Sequence, residues 1–225
     1  MTIRSMLLAV GITAALSLPA SAQSRWTSSV SAFGGGSAFP TFGASVTDPS
    51  LAASLDVRDR KINRAPVFGG AVGVWHGLGH GRARIGIRGN VSFQPARADA
   101  QVNPAAGTLF GMPFAGPLPV PEVDGSVTLV NGEILVGWES GRVMPYGGAG
   151  AGALHVTAKQ LTASDSSNTA SLTGIGGLAV RLTERVSAYA EYRYLVAEPT
   201  IVLGTQTVVF KVKPSQVVSG FSLTF

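Results

Sequence analysis

Three features of this chain predict an all-β fold, an eight-stranded antiparallel up-and-down barrel of the transmembrane type. The first is the final stretch, Ser215 to Phe225, which alternates residue by residue and stops on an aromatic side chain. The second is a composition that is 45% hydrophobic, with mean hydropathy +0.30, yet has no long unbroken apolar run beyond residue 22. The third is a set of eight strand-like segments whose connections are alternately short and long.

In the final stretch, Val217, Ser219, Phe221, Leu223 and Phe225 share one face, and Gln216, Val218, Gly220, Ser222 and Thr224 share the other. A period of two assigns these sets to opposite sides of a strand. A tilted alternating strand of about ten residues is long enough to cross a bilayer. Apolar residues spread one in two along many short strands give high hydropathy without a helical span. The 29 glycines and 13 prolines favour strands, turns and irregular loops over helices.

The absence of cysteine excludes thiolate chemistry and cysteine-ligated metal, and argues against a disulfide-stapled secreted module. Only 13% of residues are charged, with a net charge of +5. Such a balance serves solubility or attraction to phosphate-rich lipopolysaccharide. No basic and aromatic cluster supports nucleic-acid binding.

Residues 1–22 read as a secretory signal peptide. Arg4 supplies the positive start, Met6 to Leu18 the apolar segment, and Ala20-Ser21-Ala22 the cleavage site. The mature barrel domain is then residues 23–225.

The eight expected strands are 26–36, 67–76, 82–93, 125–138, 143–158, 170–182, 186–196 and 215–225. Links after the second, fourth and sixth are about three to five residues, within hairpin range. The second to third link is the turn Gly77-Leu78-Gly79-His80-Gly81. Links after the first, third, fifth and seventh run to roughly 30, 30, 11 and 18 residues, the asymmetry of short periplasmic turns and long extracellular loops. An even strand count puts both termini at the short-turn end. The long link Gln94 to Asp124 holds Pro95, Pro104, Pro113, Pro117, Pro119 and Pro121. Proline removes a ladder donor, so this link is expected to be loop. Leu51 to Arg64 in the first long link is expected to form a short helix or stay solvated.

Trp26, Trp75, Trp138, Tyr146 and Phe225 all fall at the short-turn end, as an interfacial aromatic girdle would. Phe68, Phe93 and Tyr194 lie near the opposite ends and are expected to form the second girdle.

The stretch MPYGGAGAGALHV (144–156) resembles the Pro-Tyr and alternating small residues of the fifth strand in small OmpA-like, opacity-type outer-membrane β-barrel surface proteins of Gram-negative bacteria. AEYRYL (190–195) is similar to their penultimate strand, and the terminal strand ending on Phe225, with Phe221, to the signal read by the barrel-assembly machinery. The resemblance implies export to the cell outer membrane and contact with outer-membrane lipids and lipopolysaccharide. It also implies the fold already argued, an eight-stranded antiparallel up-and-down transmembrane β-barrel with short periplasmic turns and long extracellular loops. Unlike OmpA, this sequence has no peptidoglycan-binding domain after the barrel, so a cell-wall tether is not expected.

Strand parity sends Arg84, Arg88, Glu133, Arg181, Glu191 and Arg193 inward together, since a charge on the lipid face costs about 2–4 kcal/mol near the midplane. An eight-stranded barrel is just wide enough to be filled by side chains. These residues are therefore expected to pair as a charge-assisted network across the lumen, as a plug or alternatively as the gate of a narrow pore.

Candidate catalysts are few. His76 and His80 belong to the short-turn end. His155 shares a face with Thr157, Pro145 and Ala153 and is expected to point into the lumen. A lipid A-modifying enzyme would need a serine and an acid beside such a histidine, and neither is specified. Glycines 147–152 lack a phosphate-loop lysine. No enzyme activity, cofactor or metal is expected. The reading is a monomeric surface protein with an adhesion or envelope-integrity role, its host or surface ligand engaged through loops 37–66 and 94–124. A narrow small-molecule conduit is the alternative.

Overall fold

The computed structural model describes residues 26–78, 81–160, 163–203 and 205–225. The expected signal peptide and His80 lie outside the described residues. Eight strands close into a barrel: β1 (Trp26–Ala38), β4 (Ala65–Gly77), β5 (Ala83–Ala98), β8 (Val123–Trp138), β9 (Val143–Gln160), β10 (Ala163–Arg181), β11 (Val186–Ala197) and β14 (Ser215–Thr224). The ring order is β1-β14-β11-β10-β9-β8-β5-β4, and β4 pairs back to β1, with every pairing antiparallel. All eight expected strands are present, each extended or trimmed at its ends.

Parity sorts the side chains as a lipid-facing barrel requires. Ile87, Val91, Val130, Ile134, Val136, Leu172, Leu178, Val217 and Phe221 are exposed on the outer wall. Asn90, Ser92, Asn131, Glu133, Thr173, Glu191, Arg193 and Gln216 are buried inside.

The long links differ from expectation. Six further strands, β2 (Phe42–Asp48), β3 (Ala53–Arg60), β6 (Gln101–Leu109), β7 (Met112–Val120), β12 (Thr200–Leu203) and β13 (Gln206–Phe210), form a second sheet in the order β12-β13-β2-β3-β6-β7. Three loops thus interleave into one structure above the barrel's outer mouth. Most of Leu51 to Arg64 is strand, with the turn Pro49–Leu51 before it and only Lys61 to Arg64 left as largely exposed coil: β3 buries Ala53, Leu55 and Val57 while exposing Ser54, Asp56 and Arg58. From Ala53 to Arg58 the polar and charged residues Ser54, Asp56 and Arg58 alternate with the apolar ones, so one face remains apolar.

The proline-rich link is likewise a hairpin, with Pro104 opposite Pro117. Proline is tolerated in a strand only where its missing N–H faces no partner. Strand β7 is the sheet edge, and Pro113, Pro117 and Pro119 share one parity, so their amide positions point the same way, off that edge. Pro104 lies one residue beyond the β3 to β6 pairing, which ends at Ala105. Pro95 lies beyond the β4 to β5 pairing, which ends at Phe93. The third long link is also shorter than expected, because β9 and β10 stay paired from Val143↔Val180 up to Gln160↔Ala163.

Candidate functional site

The barrel interior is closed by side chains from facing walls. Strands β5 and β11 stand four places apart in the ring of eight, across the diameter. Arg88 on β5 nevertheless donates to both Glu133 on neighbouring β8 and Glu191 on opposite β11. Arg193 Nε donates to Glu191 Oε2 at 2.7 Å, and its guanidinium stacks 4.4 Å from the centre of the Phe33 ring. Tyr146 donates its hydroxyl to Glu191 Oε1 at 2.6 Å. The amides of Asn90 and Asn131 each donate to Glu133 Oε1 at 3.0 Å. Two arginines thus face two glutamates, with both carboxylate side chains fully shielded from solvent. Charges removed from water persist only when paired and hydrogen-bonded in this way.

Glycine makes the room. A Cβ at Gly177 would lie 2.7 Å from Tyr146 Cζ and 2.9 Å from Glu191 Cγ, and one at Gly150 would lie 2.8 Å from Glu133 Cγ. The small residues of β9 and β10 leave volume that the long side chains of β8 and β11 occupy.

Arg84 and Arg181 do not join this network. Both pair with Glu139 at the periplasmic mouth, where all three side chains are partly exposed. Arg181 is the last residue of β10, so correct parity does not bring it to the level of Glu133. A vestibule of about 210 Å³ lies between this cluster and the network, lined by Arg84, Arg88, Glu139, Tyr146, Arg181 and Tyr189 among others.

The girdle also needs correction. Trp26, Trp138, Phe221 and Phe225 are exposed on the outer wall, and the Trp26 ring lies 4.4 Å from that of His76. Trp75 and Tyr146 sit at the same end but face the lumen, their ring centres 6.0 Å apart. Trp75 shares its parity with buried Ala71 and not with exposed Val72. A buried phenol seeks an acceptor, which Glu191 supplies to Tyr146. At the other end Phe68 and Phe93 stack at 5.2 Å on the outside, and Tyr194 is exposed.

His155 points outward, opposite to expectation. In β9 the inward set is Tyr146, Leu154, Val156 and Ala158, so Ala153, His155 and Thr157 face away from the lumen. The imidazole Nδ1 lies 2.8 Å from Asn168 Oδ1, and Thr157 shares a hydrogen bond of 2.8 Å with Ser126. No carboxylate completes a catalytic set around His155 in these contacts. Among the described residues, no group of three histidine, aspartate or glutamate side chains could hold a metal ion.

Above the network, the barrel mouth and the outer sheet enclose a chamber of about 370 Å³. Its wall is mostly apolar: Leu129, Leu154, Val156 and Leu195 from the barrel, with Phe42, Val46, Leu55, Val57 and Phe210 from the sheet. Gln94 and Gln216 form its polar floor, the Gln216 side-chain amide donating to Gln94 Oε1 at 3.0 Å. Among the described residues, three charged ones line it. Asp48 accepts the Ser50 hydroxyl at 2.6 Å and amide at 3.0 Å, which holds its carboxyl below the usual range. Arg97 pairs with Asp99, Glu122 and Asp124. Among the described residues Arg60 donates only to the Pro121 carbonyl, at 3.3 Å, and burial pushes its pKa down. Sequence reasoning missed this chamber; its one local trace was the alternation of Ala53, Leu55 and Val57 with polar neighbours.

Several solved structures are similar to the chain at low identity. The chain is similar to Neisserial surface protein A (14% identity, 90% of this chain and 98% of that one, TM-score 0.46). It is similar to OprG from Pseudomonas aeruginosa (15%, 88% and 95%, TM-score 0.49). It is also similar to Ail, the attachment invasion locus protein of Yersinia pestis (15%, 90% and 100%, TM-score 0.44). No curated protein sequence matches it. The family model of the outer membrane protein beta-barrel domain matches residues 8–225, almost the whole length. The chain therefore belongs to the outer membrane protein beta-barrel domain family.

Proposed function

We propose that this outer-membrane barrel is a surface-exposed binding protein of the adhesion or envelope-integrity kind, in which the barrel is a plugged anchor and the outer sheet recognises the partner. The observation that carries this reading is the interleaved sheet β12-β13-β2-β3-β6-β7, in which three loops hold one another in a defined shape. A rigid preorganised surface loses little ordering entropy on binding. The network supports the anchor role, since Arg88 bridges opposite walls. The barrel-assembly machinery is proposed to read the terminal strand, and lipopolysaccharide to surround the outer wall. The role is proposed to be non-catalytic, with a monomer as the working unit.

The test has two parts. Refolded protein in a planar bilayer should be electrically silent. Cells displaying the protein should lose attachment to host cells, or gain detergent sensitivity, when residues 101–120 are replaced by a short Gly-Ser turn that leaves β5 and β8 in place. Discrete channel openings that grow in Glu133→Ala would overturn this reading in favour of a gated conduit. Unchanged attachment and unchanged detergent sensitivity in the hairpin variant would overturn the recognition role of the sheet.

A further inference from the structure

The chamber above the network has properties that a purely structural cap does not need. Protein interiors pack to crystal density, with few voids larger than a water molecule. Here about 370 Å³ stays open between two well-formed sheets, within the range of small-molecule pockets. Its apolar walls come from both layers: Leu129 and Leu154 below, Phe42, Val46, Leu55 and Phe210 above. Water gains little in such a space, because it finds few polar partners there.

The charges at its edge are unequal. The Arg97 guanidinium is taken up by three carboxylates, and Asp48 is engaged by Ser50. Asp48 also lies at the far end of the β2–β3 hairpin from Arg60: Phe42 pairs with Arg60, whereas Asp48 pairs with Ala53. Six residues of strand separate the two ends, roughly 20 Å. Among the described residues Arg60 has no carboxylate partner, only the Pro121 carbonyl. A partly buried guanidinium with free donors at the rim of an apolar space fits a planar anion that brings its own hydrocarbon.

We propose that the chamber binds a single-chain amphiphile with an anionic head, a carboxylate such as a medium-chain fatty acid, with the head at Arg60 and the chain between Leu129, Leu154, Val46 and Phe210. The hydrogen bond from Gln216 to Gln94 floors the chamber, so the chain ends above the charged network. This ligand site stands apart from recognition of a macromolecular partner by the outer face of the sheet.

The experiment is calorimetric titration of decanoate and decanol into the mature protein in lipid nanodiscs, with empty nanodiscs subtracted. Wild type is expected to bind both saturably at one equivalent. Arg60→Gln is expected to weaken decanoate roughly tenfold and leave decanol unchanged, the loss of one charge-assisted contact. Val46→Trp, which fills the chamber from the sheet side, is expected to abolish binding of both. If that variant fails to give a folded barrel, Ala44→Phe replaces it, since Ala44 lines the same wall. Three results overturn the proposal: no saturable excess over empty nanodiscs, a filled chamber that binds as wild type, or Arg60→Gln affecting decanoate and decanol alike.

Discussion

Replacing Glu191 with alanine is the most informative perturbation of the barrel interior. Glu191 accepts from Arg88 across the lumen, from Arg193 at 2.7 Å and from the Tyr146 hydroxyl at 2.6 Å. Its removal leaves two buried arginines facing the single carboxylate of Glu133, with Arg193 reduced to its Phe33 contact. Removing one partner of a buried pair costs about 3–5 kcal/mol, mostly because the remaining charge is stranded. With a urea slope of about 3 kcal/mol per molar, the unfolding midpoint should fall by about 1–1.7 M. The assay is reversible urea unfolding in lipid vesicles followed by tryptophan fluorescence; Trp75 reports locally, its ring centre 6.0 Å from that of Tyr146. Arg84→Ala is the internal control. Its pairing with Glu139 is partly exposed, so it should cost about 1 kcal/mol or less. A midpoint shift below about 0.3 M for Glu191→Ala, or equal shifts for the two variants, would refute the view that this network bridges the lumen.

Three other outcomes are expected. Gly177→Ala should destabilise by about 1–3 kcal/mol by overpacking against Tyr146 and Glu191, whereas Gly174→Ala, whose added methyl meets nothing within 4 Å, should not; the same urea titration separates them. Ile87→Arg places a charge on an outer-wall position that is 60% exposed and should cost about 2–4 kcal/mol in vesicles. Its effect should shrink when the protein is held in a water-exposed amphipol. Deleting Phe225, whose amide donates to the Ser28 carbonyl where the barrel closes, should cut the amount recovered from outer membranes several-fold while purified protein still refolds. Normal recovery would dissociate the terminal aromatic from assembly.

The ring of eight strands was legible because a barrel writes its geometry locally. Alternation along Ser215–Phe225 or Ile85–Phe93 is enforced by lipid on one side and a narrow lumen on the other, so each strand carries its own register. The inward parity of Arg88, Glu133, Glu191 and Arg193 followed for the same reason. Height along the barrel axis was harder to read. Arg181 has inward parity yet ends its strand at the mouth, and Trp75 and Tyr146 lie at the girdle's level on the wrong wall. Parity and level are separate coordinates, and aromatic position alone reports only the second.

What sequence by itself determined, then, was what nearest neighbours set: the eight strands, the faces of most of their residues and the short-turn end. What tertiary structure decided was the fate of the long connections. The alternation of β3 and the same-parity prolines of β7 have meaning only once β2, β6 and β13 arrive from three separate loops to supply ladder partners and leave an edge free. The chamber, too, exists only between two sheets. Its Leu129 and Leu154 lie on barrel strands and its Val46 and Phe210 on loop strands, and no local pattern records that they face each other. Long-range pairing depends on which chain segments meet in space, and that is decided by closure of the barrel beneath them.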